Sequence, residues 1–238
     1  MAHRALYDRG LLDVFDDAAL DQLDGIRGPA EEDGQEIRDL RGLSWCSIDN
    51  DESKDLDQLS AALELGDGSV RIFIAIADVD TLVDKGTPID THAAHNTASV
   101  YVAGHVYPML PEKLSTDLTS LGQGVDRISL IIEYVVREEG NLAESEISRA
   151  VVRNHAKLTY DAVSAWLDGQ GPLPEAAASV QDMDAQIRLQ DAVAGRLREL
   201  RHQKGALDFA SLEARPVWKD DAVVGMHAEK PNRAKRLI

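Results

Sequence analysis

Trp45-Cys46-Ser47-Ile48-Asp49-Asn50-Asp51-Glu52-Ser53-Lys54-Asp55-Leu56-Asp57-Gln58 opens on a short apolar run and closes on a dense acidic one. Trp45 to Ile48 reads as a strand ending at Asp49, and residues 50–57 as a polar, turn-like stretch. A second strand follows from Leu59 to Leu65. Gly66-Asp67-Gly68 then makes a tight turn. Val70-Arg71-Ile72-Phe73-Ile74-Ala75-Ile76-Ala77 is a third strand, and its almost unbroken apolar run predicts burial on both faces. A sheet is therefore the centre of the fold, and the acidic segment is a crossover between two of its strands.

Outward from this stretch, residues 1–12 show no clear periodicity. Asp16 to Leu23 reads as a short helix with acidic residues in its first turn and a stop at Gly25. Residues 26–38 are polar and loop-like. A helix is expected from Ile89 to about Ser99, and a long ordered loop over 106–126. Ile128 to Arg137 is a strong strand in which Ile128, Leu130, Ile132, Tyr134 and Val136 share one face. A turn at 138–141 leads into a return strand over 142–152. Thr159 to Leu167 is a short helix. Pro174 to about Lys204 is a long one, closed by Gly205, with Val180, Met183, Ile187, Ala194, Leu197 and Leu200 as its apolar stripe. No internal repeat is visible. The fold class expected is α+β: a mixed sheet with helices packed on it and gathered toward the end.

The 238 residues suit one large domain or two small ones, and 44% hydrophobic with 28% charged residues is a globular composition. No apolar window is long enough for a membrane helix, and the first residues lack the apolar core of an export signal. Cys46 is the single cysteine, which excludes an intrachain disulfide and fits a reducing cytoplasm. The net charge of −17 argues against a nucleic-acid partner unless a basic channel is localised. Much of the acidic excess lies in 13–67, whereas Lys and Arg recur after Arg127.

Asp55 and Asp57 are two apart, and in extended chain such side chains point the same way. The short loop after Asp49 can fold back to bring a third carboxylate alongside. Two readings fit these residues. One is a solvated acidic loop, ordinary in a chain with 42 Asp and Glu residues. The other is a site for a hard cation such as Mg²⁺, which takes oxygen ligands and keeps positions for water and substrate phosphate.

The same segment resembles the signature of the ribonuclease II (RNB) family: Ser47-Ile48-Asp49, then Lys54-Asp55-Leu56-Asp57-Gln58. Further steps are similar to that family in the same order. They are Ile74-Ala75-Ile76-Ala77-Asp78-Val79, Lys85-Gly86-Thr87-Pro88-Ile89-Asp90, Ala98-Ser99-Val100-Tyr101, Ser120-Leu121 with Asp126-Arg127, Lys157-Leu158-Thr159-Tyr160 with Val163, and Gly205-Ala206-Leu207-Asp208-Phe209. The most specific is Pro108-Met109-Leu110-Pro111-Glu112-Lys113-Leu114-Ser115. The resemblance runs from about Ile37 to Ile238. It divides the chain into an N-terminal extension, 1–36, holding a short helix and an acidic loop, and the N-terminal portion of an RNB catalytic domain, 37–238.

The resemblance implies a 3′-to-5′ exoribonuclease that hydrolyses single-stranded RNA to nucleoside 5′-monophosphates. Asp49, Asp55 and Asp57 fall on the family's catalytic carboxylates, with Mg²⁺ as cofactor and Mn²⁺ as the alternative. Tyr101, Tyr160 and Phe209 fall on aromatic positions beside the bound nucleotides; from the residues alone, each reads as core packing. Two departures stand out. Gln58 occupies the position of a fourth aspartate, where its amide could still ligate the metal without adding charge. The chain also stops where the family's sequence runs on, which makes the expected fold incomplete at its C-terminal end and the missing half of the domain an expected partner. These departures keep a second reading open, a catalytically silent RNA-binding or regulatory remnant. A third, with the resemblance set aside, is an acidic cation-binding domain with no nucleic-acid partner.

Overall fold

The computed structural model describes residues 2–31, 37–102, 104–207, 213–219, 222–229 and 232–238. In chain order the helices and strands begin with α1 (Ala2–Asp8), α2 (Asp17–Gly25), β1 (Arg38–Asp39), β2 (Cys46–Asp49), β3 (Gln58–Glu64) and β4 (Val70–Ala77). They continue with α3 (Pro88–Asn96), β5 (Val100–Val102), β6 (His105–Tyr107), β7 (Asp126–Val136), β8 (Leu142–Arg153) and β9 (Ala156–Thr159). The last are α4 (Tyr160–Leu167), α5 (Glu175–Ala178), α6 (Met183–Gln203) and the hairpin β10 (Glu213–Lys219) and β11 (Ala222–Glu229).

Seven strands form one mixed sheet in the order β1-β8-β7-β4-β3-β2-β9. β3, β4, β7 and β8 are an antiparallel meander. β9 lies parallel to β2, and β1 parallel to β8. β4 is buried on both faces, as its apolar run predicts. Phe73 and Ala75 enter a cluster with Trp45, Leu59, Ala61 and Ile131 on one face. Val70 and Ile72 meet Val136 and, from α6, Val193 on the other. At the β2–β9 end the core changes hands. There Cys46, Ile48, Ala156 and Leu158 pack under Val163, Trp166, Met183 and Ile187. The α+β reading with a mixed sheet and packed helices therefore holds.

β2 and β3 are barely zipped: one register pair, Cys46 opposite Ser60, joins them. The ladder groups this splay leaves over are taken by a buried side chain from α6. Gln186 Nε2 donates to the Ser44 carbonyl (2.7 Å), and its Oε1 accepts from the Ala62 N–H (2.9 Å). A buried amide that bridges two strands in this way substitutes for missing sheet bonds.

The N-terminal segment packs onto the rest. Asp16 caps α2 by accepting from the Ala19 N–H (2.8 Å). Ala19 then joins Ile89, Leu114 and Leu118 in a satellite core. Lys113 Nζ donates to the Leu23 and Ile26 carbonyls, which closes the C-terminal end of the same helix.

Several expectations are corrected. Residues 2–8 are helical. α3 ends at Asn96, because Thr97 adopts φ 58, and a small hairpin follows. The expected loop over 106–126 contains part of that hairpin and a π-type turn, Lys113–Leu118. The expected single helix over 174–204 is broken at Asp182, which has φ 58, into α5 and α6. On β7 the buried side is largely the other one. Ser129, Ile131 and Glu133 are buried, whereas Leu130 of the anticipated stripe is 37% exposed. Glu133 is tolerated there because the Arg38 and Arg71 guanidiniums donate to its two oxygens, at 3.1 and 2.8 Å. The chain also does not end in helices alone, since β10 and β11 pair near its C-terminal end.

Candidate functional site

Asp49 ends β2 directly opposite Thr159, the last residue of β9. Both strands stop there, and Thr159 caps α4 by accepting from the Ala162 N–H. Tyr160 therefore sits one residue beyond the strand partner of Asp49. One Asp49 carboxylate oxygen accepts from the Asn50 N–H at 2.7 Å.

Asp55 and Asp57 are aimed by the residue between them. Leu56 is 4% exposed and belongs to the main core. Its N–H donates to Ser120 Oγ (3.2 Å), and its carbonyl accepts from the Leu121 N–H (2.8 Å). Ser120 Oγ in turn donates to the Lys54 carbonyl at 2.7 Å. With Leu56 pointing inward, its two neighbours point outward together. The Asp57 carbonyl accepts from the Ala77 N–H at 2.9 Å, the first bond of the β3–β4 ladder.

Tyr101, on β5, donates its hydroxyl to Asp55 Oδ2 at 3.1 Å while its side chain stays open to solvent. Partial burial, followed by the charges of Asp55, Asp57 and Asp49, raises its phenol. The Asp57 carboxyl is raised too, first by desolvation and then by the charges of Asp49 and Asp55. Asp57 nonetheless keeps much of its surface exposed. Asp49 and Asp55 thus stand near enough to Asp57 for their charges to act on it, and Tyr101 joins them through its bond to Asp55.

Gln58 opens β3 opposite Ile76, is half-buried, and makes no side-chain hydrogen bond among the described residues. Tyr160 is half-buried against the core under α4, with Lys235 Nζ 5.7 Å from its ring centroid. Phe209 lies outside the described residues.

Among the described residues, no trio of His, Cys, Asp or Glu is drawn tightly enough to chelate an ion as it stands. The donor set still suits a hard divalent cation. It is all oxygen, it is open on one side, and the raised Asp57 carboxyl is relieved by a positive charge.

Ser120 and Lys157, which stand within the motifs of the family resemblance, both hold the acidic loop. Sequence alone carries no sign of this for Lys157, because β9, which carries it, is a strand only by pairing with β2.

The family model of the RNB domain matches residues 37–238. Ribonuclease R of Vibrio parahaemolyticus is 36% identical over 180 residues, covering 76% of this chain and 21% of its own length. Ribonuclease R of Escherichia coli is 32% identical over 228 residues, covering 94% and 28%. Exoribonuclease 2 of Edwardsiella piscicida is 33% identical over 213 residues, covering 89% and 32%. The chain therefore spans less than a third of the length of these relatives. In fold it is similar to Mycoplasma genitalium RNase R solved with ribose-methylated single-stranded RNA. That match has a TM-score of 0.88 and 23% identity, and it covers 98% of this chain and 36% of the other. It is also similar, at a TM-score of 0.53 and 15% identity over 69% of this chain and 20% of the other, to yeast Ssd1, described as a pseudonuclease. On the extent of the family match and the identity of these relatives, the chain belongs to the RNB domain family.

Proposed function

We propose that this chain is the part of a 3′-to-5′ exoribonuclease that carries its carboxylate centre, acting on single-stranded RNA with Mg²⁺ and releasing nucleoside 5′-monophosphates. The observation that supports it is the anchoring of Asp55 and Asp57 about buried Leu56, with Tyr101 bonded to Asp55, in a chain of the RNB family. Asp49, Asp55 and Asp57 would hold the cation, with the Gln58 amide as an uncharged fourth donor. Mn²⁺ is the alternative ion for the same oxygen set. When bound, the cation supplies charge neutralisation at the scissile phosphate and lowers the pKa of attacking water. Tyr101 fixes one Asp55 oxygen through its hydroxyl and offers its exposed ring to a base. Tyr160 and Phe209 complete the aromatic set, which suits sequence-tolerant stacking.

No described helix is long and apolar enough to cross a membrane. A reducing cytoplasm suits the lone Cys46, whose thiol is pushed up to about 12 by complete burial. The remaining half of an RNB domain is the protein partner this reading expects.

In the natural full-length polypeptide, 3′-labelled single-stranded RNA should be converted to labelled mononucleotide only when Mg²⁺ is supplied. Asp57→Asn should abolish this while leaving the circular dichroism spectrum unchanged. Hydrolysis that survives excess chelator would sink the reading. Gln58, standing where the family has a carboxylate, favours a second reading, an RNA-binding protein without turnover. Salt-sensitive RNA binding with no mononucleotide release would establish it.

A further inference from the structure

Residues 50–54 connect Asp49 to Asp55, so the shape of this loop sets how far apart the carboxylates stand. Within it a backbone bond closes a turn, Ser53 N–H to the Asn50 carbonyl at 3.2 Å, and Asp51, Glu52 and Lys54 are exposed.

Its tether comes from β9. Lys157 is paired with Ser47 of β2 and is half-buried. Its Nζ donates to the Asp51 carbonyl (3.0 Å) and the Ser53 carbonyl (2.7 Å). Its backbone N–H is anchored on Gln123 Oε1 at 3.2 Å, and Gln123 Nε2 donates to the His155 carbonyl. A lysine in an acidic neighbourhood would ordinarily pair with a carboxylate. This one spends its charge on two main-chain carbonyls, the arrangement that fixes a backbone rather than neutralises a side chain. Ser120 holds the next carbonyl, that of Lys54.

We infer that Lys157 is a positioning residue, whose ammonium clamps the 50–54 loop so that Asp49 converges with Asp55 and Asp57 on a single cation. This rests on the proposed reading of Asp49, Asp55 and Asp57 as a cation site. Lys157 touches neither the cation nor the substrate in this role.

The inference makes a prediction of sign. If Lys157 acted only through its charge, removing it would remove a repulsion and tighten cation binding. If it clamps the loop, removing it leaves the loop to be ordered by the cation itself, and binding weakens. Residues that support metal ligands from behind typically change affinity by about 10-fold or more.

The experiment is a Mn²⁺ titration of the natural full-length protein, followed by the electron paramagnetic resonance signal of free Mn²⁺, without RNA or turnover. Lys157→Met should weaken binding about 10-fold. Lys157→Arg, which keeps paired donors, should recover most of the loss. Lys157→Gln keeps one donor and no charge, and carries the same comparison if the methionine variant does not fold. Affinity equal to or tighter than the parent's in the uncharged variants overturns the inference. Asp57→Asn separates the two levels. If it leaves Mn²⁺ binding intact, the carboxylate reading itself is wrong. If it abolishes binding while Lys157→Met does not weaken it, only the role of Lys157 fails.

Discussion

Leu56 makes a pair of Asp55 and Asp57. By sinking into the core between them, it turns two carboxylates outward that would otherwise be free to separate. Tyr101 reaches Asp55 from a different element, and its two parts are separable. Tyr101→Phe keeps the ring and loses only the bond to Asp55; RNA binding measured by fluorescence anisotropy should hardly change. Tyr101→Ala should weaken it by about 1–3 kcal/mol, the worth of one stacked base. Gln58→Asp should tighten Mn²⁺ binding in the same titration used for Lys157, because it adds a fourth charge to an open oxygen set; unchanged affinity would show that position 58 does not face the ion. The pairing of Asp55 with Asp57 was legible in the sequence because i and i+2 geometry depends on extended backbone alone, whereas Asp49, six residues before Asp55, needed the loop to fold back. Tyr101 and Tyr160 were legible only through family resemblance, since a lone tyrosine carries no periodic signal. The structure leaves Tyr101 exposed and Tyr160 half against the core.

At the scale of elements, strands that announce themselves by long apolar runs were read correctly, and those defined by a neighbour were not. β9 is short, and its strand character comes from lying parallel to β2. β1 is two residues held by β8. The apolar stripe of β7 is buried at Ile128 and Val136 and open at Leu130, while the polar Ser129 and Glu133 are enclosed on the opposite side. The expected long helix stops at Ala178, and α6 starts afresh after the left-handed Asp182, because a residue with φ 58 cannot lie inside a helix. Gly140, at the β7–β8 turn, has φ +85. A Cβ built there would stand 2.6 Å from the Arg196 carbonyl oxygen of α6. Gly140→Ala should therefore destabilise by more than the ~1 kcal/mol of the backbone preference alone. Chemical denaturation measures this, and a loss within that bound would mean the hairpin tip shifts freely away from α6.

For the whole molecule, charge ties the sheet edge together. Asp126 accepts from Arg153 and Arg41, and Asp39 from Arg41, which joins β1 to the β7–β8 pair. The Arg41 guanidinium holds Asp39 at about 2, and Arg153, then Arg41, lower Asp126. A carboxyl depressed in the folded state adds stability above its unfolded value near 4 and loses it as the pH falls through its folded value. Thermal unfolding midpoints should therefore drop between about pH 4 and pH 2, and the drop should flatten in Arg41→Met, by a small amount because these groups are exposed. The single register pair between β2 and β3 has a larger consequence. It leaves a seam between two blocks of the sheet, β2 and β9 on one side and the β3–β4–β7–β8 meander on the other, with α6 packed over both and its Gln186 as a polar stitch. Asp49 belongs to the first block, and Asp55 and Asp57 lead into the second. An ion gripped by all three would therefore rivet the seam, so amide exchange at Cys46–Ile48 and Ser60–Ala62, residues that do not ligate the ion, should slow when Mg²⁺ is added.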